Sequence, residues 1–219
     1  MEKKESLKKE IDFSAKSAGF SSRIFGIIKF ILGICLLPFV YSTSVSFLNE
    51  FAVLEKSLQD YFWTGIISLL ILYLFIWEPV IIYVKGQKLL ELIFSFFRPL
   101  VRVAPYLLPI YTIVLFMVYG VLSLVFKSPD LVNVFIFLFG FSIGLHLVFS
   151  AKSLRGKQED FLKSNYIFGF SFLYIINLAI LSFCLSAIIN AFSFVNFSNN
   201  SFQMAKGIFS AVFKQLFLR

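Results

Sequence analysis

Residues 64–87 read TGIISLLILYLFIWEPVIIYVKGQ. The run is long enough to cross a hydrocarbon core of about 30 Å, and an acid inside such a run is expensive. Its single carboxylate, Glu78, is followed at once by Pro79. Read this way, the stretch is a membrane span carrying one acid that the rest of the chain must compensate.

The rest of the chain agrees with that class. Of 219 residues 59% are hydrophobic, and 31 are phenylalanine. A soluble domain has roughly half its residues apolar. Here the excess falls in long blocks, which predicts an all-α integral membrane protein. Cys35 and Cys184 both sit inside apolar runs. They read as packing residues rather than a disulfide framework. The net charge of +8 reads as Lys and Arg retained on one side of a bilayer, near anionic headgroups, and not as a nucleic-acid surface.

Five transmembrane spans are expected, at about 24–47, 61–84, 103–126, 131–150 and 166–192. A polar arm, 1–23, precedes them. The basic segment at about 86–98 is too short and charged to cross, and reads as an inner interfacial helix. Pro105 and Pro109 fall within the third span; membrane helices tolerate prolines where neighbours satisfy the freed carbonyls. A joint and an amphipathic C-terminal helix occupy 193–219. Phe202, Ile208, Phe209, Val212, Phe213, Leu216 and Phe217 recur there at three and four, one apolar face for docking on the membrane or a partner. This predicts a helix lying in the outer interface rather than a sixth crossing.

Lys and Arg fix the orientation. The arm, the 85–102 segment and the 151–165 loop are basic, whereas the opposite loops carry only Lys56 and Lys127. The N-terminus is therefore expected in the cytoplasm, with a bacterial inner membrane as the setting.

Direction then gives Glu78 partners at its own depth. Lys29 lies six residues after Arg23, Glu78 seven before Lys85, and His146 six before Lys152. With Arg102 at the edge, these form an expected inner-leaflet polar network. His146 is the only histidine, and a histidine can change charge near neutral pH. Gly26 and Gly33 share a face with Lys29. Gly140 and Gly144 form a GxxxG pattern, and Ser182 and Ser186 a second small stripe, all read as helix-packing positions. Ser142, His146 and Ser150 lie roughly opposite the two glycines, with Asn177 near mid-membrane in the fifth span.

Few motifs for chemistry occur. There is no HExxH, Walker or dinucleotide fingerprint, so no metal site and no cofactor is expected. Residues 140–144, GFSIG, match GxSxG as letters, but they lie inside an apolar helical run and not at the strand-to-helix turn that exposes a nucleophile. The expected function is a non-enzymatic membrane subunit or scaffold in a larger complex, in contact with lipid and protein partners and open to homo-oligomerisation. The alternatives are a small channel or proton-linked transporter using the Lys29/Glu78/His146 layer, and a lipid-handling enzyme with His146 as base.

Overall fold

The computed structural model describes residues 2–76, 79–96, 98–126, 128–155 and 165–217. Among these there is no strand. Eight α-helices follow in order: α1 (Glu2–Ala52), α2 (Lys56–Ile71), α3 (Val80–Ile93), α4 (Arg98–Leu107), α5 (Ile110–Val125), α6 (Pro129–Leu154), α7 (Tyr166–Ile188) and α8 (Phe194–Phe217). A π-helical turn, Leu72–Ile76, extends α2. Four helical stretches are long and apolar enough to cross a membrane: Ile24–Ala52, Lys56–Phe75, Asp130–Leu154 and Tyr166–Ile188.

Several boundaries differ from the sequence expectation, each for a local reason. The arm is not a separate piece, because α1 runs unbroken from Glu2 through the first span. The second span breaks early. Pro79 has no N–H to donate to the carbonyl four residues back, so the ladder loosens into the π turn and restarts at Val80. Of the expected interfacial helix at 86–98, residues 86–93 belong to α3, which begins at Val80, and Arg98 opens α4. The buried face of α3 is Tyr83, Gly86 and Leu90, and it packs against α4. The third span is two helices, α4 and α5, parted at Leu108 and Pro109. The Asn/Ser-rich segment at 196–201 is helix, not joint. Ser193 Oγ accepts from the Asn196 N–H at 3.2 Å and Ser186 Oγ from the Phe194 N–H at 3.2 Å, so α8 starts capped.

The bundle is built on close helix crossings. α2 packs on α6, and α1 on both α7 and α8. At the α2–α6 crossing a Cβ added to Gly65 would come 2.1 Å from the Phe137 carbonyl oxygen, and one on Gly140 would come 2.1 Å from that of Phe62. The backbones touch there because neither residue has a side chain. Gly144 faces Leu69 one turn further on, so α2 and α6 run in the same direction. Gly33 does similar work on α1, where a Cβ would stand 2.9 Å from the Phe168 amide nitrogen. At Gly26 a Cβ would meet nothing within 4 Å, so the contact expected there is not formed among the described residues.

The tail helix also departs from expectation. α8 folds back along α1, antiparallel to it: Glu50 accepts from the Ser193 N–H at 3.4 Å, and the Phe39 and Phe209 rings lie 5.7 Å apart. It buries Phe197, Ser201 and Ala205. The apolar stripe read as a surface for the membrane or a partner points away from the bundle, with Phe202, Phe213, Leu216 and Phe217 all exposed. Small residues at the contact let α8 approach α1 closely, which the larger phenylalanine face could not. Phe197 joins Phe47, Phe51, Phe62, Phe139 and Phe192 in the main hydrophobic core.

Candidate functional site

The α4–α5 break creates the site. Pro109 has no N–H for the Pro105 carbonyl, and the Ile110 N–H turns to the Leu108 carbonyl at 2.9 Å. The carbonyls of Tyr106 and Leu107 are then left without their helical donors. Both are satisfied from neighbouring helices, as buried backbone groups require. His146 Nε2, on α6, lies 3.0 Å from the Tyr106 oxygen, and Ser150 Oγ lies 3.3 Å from it. Asn177 Nδ2, on α7, donates to the Leu107 oxygen at 3.0 Å and to its own helix at Leu173 at 2.8 Å.

The hydrogen-bond directions follow from the chemistry of the groups. A carbonyl only accepts, so Nε2 of His146 carries the proton. Ser150 gives its hydroxyl proton to the same oxygen. Tyr83 OH, 2.9 Å from Ser150 Oγ, is then the donor of that pair, and Gln87 Nε2 donates to Tyr83 at 2.9 Å. A chain of donors, Gln87 to Tyr83 to Ser150, ends with His146 on one carbonyl. Beside it is a void of about 10 Å³ bordered by Pro105, Ile110, Tyr111 and His146, about the size of one water. The His146 nitrogen nearest Ser150 is the protonated one, at 3.3 Å. In this arrangement it cannot act as base for that serine.

The rest of the α6 polar stripe is used in the same manner. Ser142 Oγ pairs with Thr112 Oγ1 at 2.8 Å, tying α5 to α6. Tyr111 OH donates to the Ile82 carbonyl at 2.5 Å, tying α5 to α3. Replacing Tyr83 with phenylalanine removes two bonds of the donor chain. It is expected to lower stability by about 0.6–1.7 kcal/mol, the range for hydrogen bonds between membrane helices, measured by denaturant titration in detergent.

Among the described residues His146 is met by the Tyr106 carbonyl, Ser150 and Tyr83. Lys29 is buried on α1 with its Nζ 5.7 Å from the Phe25 ring. α1 packs on α7 and α8, whereas His146 faces α4 and Tyr83. Glu78 and the side chain of Arg102 lie outside the described residues. Ser182 is buried in α7, and Ser186 serves as the acceptor at the start of α8. Tyr83, Gln87 and the Tyr106 carbonyl were not singled out from sequence. The available signal was Pro109 itself, which names the carbonyls that need a donor.

A second space, about 250 Å³, opens between α1, α2, α6 and α7. Its wall is apolar apart from Ser44 and Tyr174, whose oxygens lie 2.9 Å apart. Ser44 also donates to the Val40 carbonyl at 2.7 Å, so Tyr174 is the donor of the pair.

Comparison with protein-family models, with curated proteins and with solved structures found no match to this chain.

Proposed function

We propose that the chain is a non-enzymatic, multi-pass membrane subunit or scaffold that works inside a larger membrane complex. The reading has five crossings, α1, α2, α4 with α5, α6 and α7, and α8 folds back along α1 into the same layer. It places the arm in the cytoplasm and the bundle in a bacterial inner membrane. One observation carries it. His146, Ser150 and Asn177 are committed to closing the bundle's own broken helix. What the chain offers outward is helix surface. The test is extraction of the tagged full chain from its own membranes in mild detergent, followed by native electrophoresis and protein identification. A discrete assembly with another membrane protein at fixed ratio is the expected result. Recovery of the chain alone, as monomer or homo-oligomer, overturns it.

A second reading, a small proton-linked channel or transporter, is favoured by the helix breaks near Pro79 and Pro109. Interrupted helices beside polar groups are where membrane transporters place their sites. Pure protein in liposomes would then give a pH-dependent flux that His146→Ala abolishes. Flux unchanged by that substitution removes His146 from the pathway.

A further inference from the structure

At 100° per residue α8 presents three faces. Phe197, Ser201 and Ala205 are buried against the bundle. Phe202, Phe209, Phe213 and Leu216 form an exposed apolar flank. The face turned away from α1 carries Gln203, Lys206, Ser210 and Lys214, all exposed.

Depth makes that third face unusual. Phe209 meets Phe39, which lies one residue past the middle of the apolar stretch Ile24–Ala52. Lys206 and Lys214 are three and five residues from Phe209, about 4.5 and 7.5 Å along the axis. Half a hydrocarbon core is about 15 Å. Both lysines are therefore rooted within the layer that α1 crosses. A charge there is expensive and is normally paired. α8 contains no Asp or Glu, and among the described residues neither lysine has an ion pair. Snorkelling relieves a lysine alone. Gln203 and Ser210 on the same stripe have no long stem to reach the headgroups.

We propose that this stripe docks a transmembrane helix of another protein, which presents a carboxylate to Lys206 or Lys214 inside the bilayer. The proposal rests on the membrane-subunit reading and names the class of its partner. Charge selects the occupant. A second copy of α8 would bring lysine against lysine with no acid to answer it, and lipid tails would leave Gln203 and Ser210 unpaired. The apolar flank stays with lipid.

The experiment places a photo-activatable benzophenone residue at Ser210 in the full chain, in its native membranes, and maps the adduct. A single membrane protein, attached through a helix that holds an Asp or Glu, is expected. The yield should fall by at least about tenfold in the double variant Lys206→Met, Lys214→Met, because losing a buried charge partner costs several kcal/mol. Lys→Arg at both positions should retain it. An exchanged pair, with lysine in the partner and glutamate at 206 or 214, should restore it. Lipid adducts only, adducts to a second copy, or a yield indifferent to both lysines overturn the proposal. If such a result comes with an intact larger assembly, the membrane-subunit reading stands and only the α8 contact fails. If the chain is also recovered alone, both fail. An apolar control, Phe213→Ala, should leave the adduct in place and shows that the helix remains folded.

Discussion

Replacing Gly140 with leucine separates α2 from α6 and lowers the stability of the bundle by about 3 kcal/mol or more, at or beyond the upper end of ordinary overpacking. The first carbon of the new side chain alone would lie 2.1 Å from the Phe62 carbonyl oxygen. A backbone atom cannot move aside as a flexible side chain can, so the helices must part. Parting them exposes Phe62 and Leu69, both buried now. Gly65→Leu should cost a similar amount, since its Cβ meets the Phe137 oxygen at the same distance. The two effects should be strongly sub-additive, because the first substitution already opens the crossing that the second would clash with. Denaturant titration of detergent-solubilised protein reads all three variants. Near-neutral single substitutions would mean that the crossing is not formed. Gly207, where a Cβ meets nothing within 4 Å, is the control and should accept alanine with no loss.

The second large effect is expected at the helix break. Asn177→Leu removes the donor to the part-buried Leu107 carbonyl and leaves that oxygen without a described partner, at a cost of about 1–3 kcal/mol. His146→Phe should cost less, because Ser150 still reaches the Tyr106 carbonyl. Pro109→Ala separates cause from consequence. It returns an N–H to position 109, so the helix can run on through the break and supply its own donors. In that background Asn177→Leu should lose much of its effect. A full-sized penalty for Asn177→Leu in the Pro109→Ala chain would show that Asn177 serves some end other than capping.

These two sites also mark how far the sequence could be read. Gly140 and Gly144 stand out as a spaced pair in an apolar helix, and they form the face that meets α2. Gly65, their counterpart, is a single small residue in an apolar run, and nothing local shows that another helix lies on it. The stripe Ser142, His146 and Ser150 was legible because its spacing is helical. Its partners were not, because the one that His146 and Ser150 share is a backbone carbonyl, which every residue has. Only the prolines say which carbonyls need help. Depth alone grouped Lys29 with His146, but depth does not fix which helices are neighbours. α1 went to α7 and α8. In the tail the apolar periodicity shows one face of α8, but it does not show that Phe197, Ser201 and Ala205 are the residues buried against the bundle.

The parallel course of α2 and α6 has a consequence for how the protein is made. Gly65 and Gly140 are 75 residues apart, and two helices that cross in the same direction need an intervening return crossing. At roughly 5–20 residues per second, the ribosome supplies the second glycine some 4–15 s after the first. Through that interval the Phe62–Gly65–Leu69 face of α2 is without its mate. The nascent chain therefore passes through a stage in which its tightest contact is still unmade. A chain stopped before α6 would leave that glycine face open as the mark of an unfinished bundle.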